Sequence, residues 1–124
     1  LVLTGSSAER ARAVAVAELA GLPAASVVAG HQSLAEFAAL IADAALVISA
    51  DTGAAHLATA YGRRSVVIFG PAPAAEWGPP PGPHIVLTDE SRRVGDTFSA
   101  VPDPALLAVT AGDVLAAAAR LGLS

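Results

Sequence analysis

At 124 residues the chain fits one domain of common size, able to bury roughly two-thirds of the surface that its unfolded form exposes. The net charge is −4, and the seven basic residues are all arginine, scattered or paired, so there is no basic stripe for nucleic acid. The absence of cysteine excludes a disulfide framework, thiol chemistry and cysteine-ligated metal, and suits a reducing, cytoplasmic compartment. The mean hydropathy is high, at +0.60, yet no run reaches the roughly 18 unbroken apolar residues of a membrane span, and no signal-peptide pattern opens the sequence. With no Met, and a start at Leu1-Val2-Leu3 inside an apolar run, the sequence reads as a piece of a longer protein. An apolar face shared with a partner domain would account for part of its hydropathy.

Leu1 to Thr4 is a short apolar strand, followed by the turn Gly5-Ser6-Ser7. Ser6 and Glu9 have capping-box spacing, so a helix starts there, runs to about Ala20 and stops at Gly21, with Pro23 beyond. Ser26 to Ala29 is a weak second strand. Ser33 and Glu36 form another capping box, opening a helix to about Ala42 with Leu34, Phe37, Ala38 and Ile41 on one face. Ala45 to Ser49 is a third strand, a continuous apolar run of the kind buried on both faces. A short helix through about Tyr61 follows, then a fourth strand, Ser65 to Phe69. The Pro-rich loop from Gly70 to Pro83 holds the sole Trp, Trp77. His84 to Leu87 is a fifth strand, Thr88 to Asp103 is polar and irregular, and Asp113 caps a last helix over Val114 to Leu121.

Apolar strands alternating with amphipathic helices predict an α/β fold: a Rossmann-like parallel sheet with helices on both faces, in one domain spanning residues 1–124. Ligands of such sheets bind beyond the carboxyl ends of the strands. Three turns leave those ends: Gly5-Ser6-Ser7, Ala50-Asp51-Thr52-Gly53 and Gly70-Pro71.

The second of these turns carries the chemistry. A helix starting near Thr52 or Gly53 presents N–H groups with no internal partner, together with the positive end of its dipole, which is a site suited to phosphate. Gly53 lacks the side chain that would hold a diphosphate away from the backbone, and the Thr52 hydroxyl is a further donor. His56, one turn along on the same side, reaches toward a phosphate oxygen. Asp51 would repel phosphate, which leaves it as a helix cap or an acceptor for sugar hydroxyls. Taken singly, these features are equally those of a capped helix with a structural histidine. No metal-ligand cluster is visible.

The run Ser33-Leu34-Ala35-Glu36-Phe37-Ala38-Ala39-Leu40-Ile41, then Asp51-Thr52-Gly53-x-x-His56-Leu57-Ala58, then Phe69-Gly70-Pro71 and Trp77-Gly78-Pro79, resembles the carboxyl-terminal domain of glycosyltransferase family 9. That family comprises the ADP-heptose:lipopolysaccharide heptosyltransferases, which have the two-domain GT-B fold. The resemblance runs from Leu3 to about Leu87 and implies a domain that binds a nucleoside-diphosphate sugar, with ADP favoured, and needs no cofactor. By it, Asp51, Thr52, Gly53 and His56 contact the donor's diphosphate and sugar. Glu9 meets the ribose, and Gln32 and Ser33 lie near the base. For Glu9 and Ser33 the capping roles compete with these, and for Trp77 packing on prolines competes with closure over the donor.

The resemblance further implies an acceptor site and a catalytic base on an amino-terminal domain outside this chain. No catalytic residue is therefore assigned here, and the chain alone is expected to be inactive. The base would deprotonate an acceptor hydroxyl, which attacks the anomeric carbon with inversion as the nucleoside diphosphate leaves. Two departures stand out: Arg63-Arg64 replaces a small residue followed by Pro, and the chain has no Lys to help hold the phosphates. A cytoplasmic protein with peripheral contact to the inner face of the membrane fits this reading. An NDP-sugar 2-epimerase of the same fold would carry an acidic pair in place of Ala55-His56. A non-catalytic receiver-like or nucleotide-binding module would need, for the receiver case, acidic residues after the first strand, where Thr4-Gly5-Ser6-Ser7 has none.

Overall fold

In the computed structural model, which describes residues 1–123, the chain divides into two compact units, Leu1–Leu40 and Ile41–Ser124. In the first unit, the segments expected as strands pair in parallel through a single bridge, Leu3 with Val27. The bonds are Leu3 N–H to the Ser26 carbonyl at 2.8 Å, Val28 N–H to Leu3 at 3.0 Å and Gly30 N–H to Gly5 at 2.9 Å. The second segment is cut short because Ala24–Ser26 is wound into a 3-10 turn. A 3-10 turn at Ser7–Glu9 leads into α1 (Arg10–Leu19). The small face of α1, Ala13 and Ala17, packs with Val27 and Ala29 to form the core of this unit, with Leu3, Val14 and Leu22 against it. Arg10 donates to the Ala29 carbonyl at 2.8 Å, fastening the helix to the bridge. Gly30 has φ +76°, and a side-chain carbon there would stand 2.9 Å from Ser7 Cα, so both backbone and packing require glycine.

The unit boundary falls inside α2 (Leu34–Asp43), whose Ser33 hydroxyl accepts from the Glu36 N–H at 3.1 Å. The second unit is built on a parallel sheet of three strands, β1 (Val47–Ala50), β2 (Ser65–Ile68) and β3 (His84–Leu87), in that spatial order. The register aligns Val47, Ser65 and His84 in one row and Ser49, Val67 and Val86 in another. α3 (Gly53–Ala60) connects β1 to β2 and sets Ala55 against Val67 and Phe69. α6 (Ala111–Arg120) packs on β2 and β3. Val66 and Val67 point to opposite faces and both are fully buried, so β2 is covered on both sides. Burial of Phe69 alone contributes about 1.5–3 kcal/mol.

β1 departs from the expectation of burial on both faces. Val47 is buried, but Ile48 is 48% exposed. β1 is an edge strand with α3 on one face, so its apolar run exceeds what the sheet covers. Two short helices also went unsignalled by periodicity: α4 (Ala74–Trp77) inside the Pro-rich loop and α5 (Pro104–Leu107) after the irregular segment. The last helix begins earlier than expected. Thr110 is its cap and Asp113 the third residue, the two bonded reciprocally at 2.7–3.1 Å.

Candidate functional site

The ladder between β1 and β2 runs one step past β1, where the Asp51 N–H donates to the Ile68 carbonyl at 3.2 Å. This half-buries Asp51 at the carboxyl end of the strand. Thr52 is extended (φ −143°, ψ 178°) and is the residue from which α3 starts. Its carbonyl accepts from the Ala55 N–H at 3.0 Å and, at the long distance of 3.5 Å, from the His56 N–H. The sequence allowed Asp51 as the cap, but the cap position belongs to Thr52, and no side chain bonds the helix end. The Thr52 hydroxyl instead turns back toward the Ala50 carbonyl, at 3.4 Å.

Two backbone donors, the Gly53 and Ala54 N–H groups, are therefore left without an acceptor among the described residues. No acidic residue occupies the first turn of α3, so the positive end of its dipole is not offset from within the helix. Gly53 has negative φ, and a side-chain carbon there would meet nothing within 4 Å. Neither the backbone nor the packing demands glycine at this position, in contrast to Gly30; what glycine leaves is open space over two unused N–H groups. His56 is exposed one turn along, and its ring bonds to no described residue, so the ring is not consumed by a structural role.

The expected nucleoside contacts all lie in the first unit, and they divide. Gln32 and Ser33, with Gly5, Ser6, Leu34 and Phe37, line a cavity of about 340 Å³. Glu9 lines a different cavity, about 200 Å³, beside Leu3, Thr4, Arg12, Ala13 and Val16. Its carboxylate accepts from the Ser6 N–H at 2.7 Å, and this bond holds it below the usual carboxylate range. Ser33 spends its hydroxyl on the cap of α2, whereas Gln32 is half-buried and uncommitted.

Trp77 exposes 57% of its surface at the end of α4. Arg63 and Arg64 lie exposed between α3 and β2 without an ion pair to any described residue. Among the described residues no cluster of three or more His, Asp or Glu side chains is arranged to hold a metal, and no helix is long and apolar enough to cross a membrane.

Three polar groups near the carboxyl ends of the strands were not singled out from sequence. Ser49 Oγ on β1 and Thr88 Oγ1 just past β3 are buried without a partner. Asp103 is a buried carboxylate, only 7% exposed, that accepts from the Val94, Gly95 and Ala105 N–H groups at 3.1, 3.0 and 2.9 Å. These bonds, chiefly that from Gly95, hold its pKa low. The dipeptide Asp103-Pro104 was its sequence signal, an acidic cap followed by Pro at the first helical position.

A family model described as glycosyltransferase family 9 (heptosyltransferase) matches residues 1–96. The chain is similar to the solved structure of E. coli ADP-heptose LPS heptosyltransferase II, with 25% identity and a TM-score of 0.72 over 97% of this chain and 35% of that one. A family 9 glycosyl transferase from Veillonella parvula shares the fold, with a TM-score of 0.77 and 23% identity over 97% of this chain and 36% of that one. The chain thus spans about a third of the length of these solved relatives. No curated protein matches it. The match of the family model over most of the sequence, with the strand-to-helix turn and parallel sheet it runs through, makes this chain a member of glycosyltransferase family 9.

Proposed function

We propose that this chain is the donor-binding domain of an inverting glycosyltransferase that moves a heptose-like sugar from a nucleoside diphosphate to a glycan acceptor. The observation that carries the reading is the start of α3. There the Gly53 and Ala54 N–H groups are unspent, open space lies over Gly53, and the exposed ring of His56 is uncommitted. A diphosphate seated there takes two backbone N–H bonds, the helix dipole and an imidazole N–H. As the sugar leaves, negative charge grows on the diphosphate, and fixed donors stabilise it with no rearrangement. Asp51, half-buried at the strand end, accepts from sugar hydroxyls, and Thr52 adds a donor. Of the nucleoside contacts that the resemblance implies, Gln32 has the uncommitted side chain, while Ser33 and Glu9 already serve as caps.

The E. coli relative, an ADP-heptose LPS heptosyltransferase, supports ADP as the nucleotide and lipopolysaccharide as the acceptor class. The acceptor site and the base that deprotonates its hydroxyl belong to another domain of the same protein, and no bound cofactor or metal takes part. The chain alone then binds donor without turning it over; product formed by the isolated 124 residues would refute that.

Calorimetric titration with ADP, UDP, GDP and TDP tests the site. ADP binds most tightly, and His56→Ala weakens it about fivefold, the loss of roughly 1 kcal/mol for a solvent-exposed charge-assisted bond, with the melting temperature unchanged. Equal affinity of His56→Ala and the parent protein removes His56 from the site. Failure of all four nucleotides to bind both the chain and the longer protein removes the reading itself.

A further inference from the structure

Asp103 has no place in the donor chemistry, and it falls beyond residues 1–96, which the family model matches. It is also the most buried charged group among the described residues. Its carboxylate gathers three N–H groups from two stretches of chain, Val94 and Gly95 on one side and Ala105 on the other. Burying a carboxylate is costly unless it is bonded in this way, so the cradle and the loop are stable only together.

That loop meets the exit of β2. A side-chain carbon at Gly70, the buried residue after Phe69, would stand 3.1 Å from Leu106 Cβ and 3.6 Å from Asp103 Cβ. Gly95, at φ +91°, brings its Cα side toward the Pro71 carbonyl, 3.9 Å from where a side-chain carbon would stand. Gly70 and Pro71 are therefore seated on the segment that Asp103 organises. The neighbouring exit in the sheet is Asp51-Thr52-Gly53, because β1 and β2 are adjacent, parallel and bonded up to Asp51. The same segment reaches α4 as well, since Glu90 takes Arg93 at 2.8 Å and accepts from the Ala74 N–H at 3.4 Å.

We infer that Asp103 is a positioning residue of the donor site: by holding Val94, Gly95 and Ala105 it seats Gly70-Pro71 and α4, and so fixes the wall beside the amino end of α3. The inference rests on the proposed donor site. Asp103→Asn keeps the size but puts an amide donor against backbone donors. In the variant, amide hydrogen exchange at Val94 and Gly95 accelerates while Val66 and Val67 stay protected. ADP binding weakens about tenfold, within the range for residues that act through others. Leu106→Ala leaves the cradle intact and removes the Leu106 side chain beyond Cβ, including the Cδ1 that would stand 3.3 Å from a side-chain carbon at Gly70, so it weakens ADP in the same direction even if the Asn variant fails to fold.

A purely structural role for Asp103 moves exchange and melting temperature but leaves the ADP Kd of the folded protein unchanged. That result in both variants, with His56→Ala still weakening ADP, overturns this inference and leaves the donor site standing. No nucleotide binding to the parent protein would overturn both.

Discussion

The chain contains the same local plan twice, a strand end, a tight turn and a helix, and it finishes the two differently. After Leu3 the turn Gly5-Ser6-Ser7 is closed from within: Glu9 reaches back to the Ser6 N–H at 2.7 Å, and Gly30 is pressed against Ser7. After β1 the turn Asp51-Thr52-Gly53 is left open: the Thr52 hydroxyl faces backwards, and two N–H groups at the head of α3 have no partner. Among the described residues, unpaired N–H groups occur at both helix starts, Ser7 and Ala8 at the first and Gly53 and Ala54 at the second, so the turns differ in cover: Glu9 and Gly30 crowd the first, whereas a side-chain carbon at Gly53 would meet nothing within 4 Å. The motif alone therefore does not mark a site. What sets the second turn apart is the open space over its unpaired N–H groups.

Four substitutions and an acid titration test that contrast. The largest effect on stability is expected from Gly30→Ala, which forces a side chain into positive φ and into the Ser7 backbone. It costs about 1–3 kcal/mol in denaturant unfolding, and an unchanged midpoint would mean that the first turn is not closed in the way described. Gly53→Ala is the reverse case. Its new methyl group meets no protein atom, so stability holds or rises by up to about 1 kcal/mol, while ADP affinity falls about tenfold (some 1.4 kcal/mol) as the methyl crowds the diphosphate. Stability and binding move in opposite directions there, and a loss of both would place Gly53 in the ordinary structural class.

Thr110→Ala and Thr52→Ala form the next pair, both at helix starts. The first removes a bonded cap and costs about 1 kcal/mol. The second removes a hydroxyl that does not cap, and should change thermal stability by no more than a few tenths of that. Equal costs would show that Thr52 caps α3 in solution.

Acidification from neutrality gives the smallest and most gradual change. Burial lowers the pKa of His84, whose Nδ1 is 2.8 Å from the buried Ser65 hydroxyl, so the unfolded chain takes up its proton first. Stability therefore declines as pH drops through about 6.5. Glu9, Asp103 and Asp113 are held below their ordinary values by hydrogen bonds. Their contribution is full above the unfolded carboxylate range and is lost as pH falls through about 4 and below. A His84→Gln variant that keeps the slope near pH 6.5 would exclude that residue as its source.

Much of the scaffold was legible because its signals are local. The apolar runs at Val47–Ala50, Ser65–Ile68 and His84–Leu87, the Ser6-to-Glu9 spacing and the glycine stop after α1 each act within a few residues. Less legible were the two ends of the first unit's pairing, which a 3-10 turn trims to one bridge, and the short helices α4 and α5, too brief for a period to emerge. At the turn before α3, sequence left open whether Asp51 caps the helix. Asp51 and Thr52 both suit the role, and only the ladder bond from Asp51 to Ile68 decides which residue stands where.

Short-range signals were enough for the α/β alternation and the family, and they singled out the segment from Asp51 to His56 as the candidate site, because strand runs, caps and the D-T-G-x-x-H spacing each act within a few residues. The tertiary structure decided which of those groups are free. It spent Glu9 and Ser33 on caps, left the Gly53 and Ala54 N–H groups open, uncovered Ile48 on an edge strand, and buried Asp103 under the exit of β2. Availability depends on what the rest of the chain brings within hydrogen-bond reach, and that is fixed only when distant segments meet.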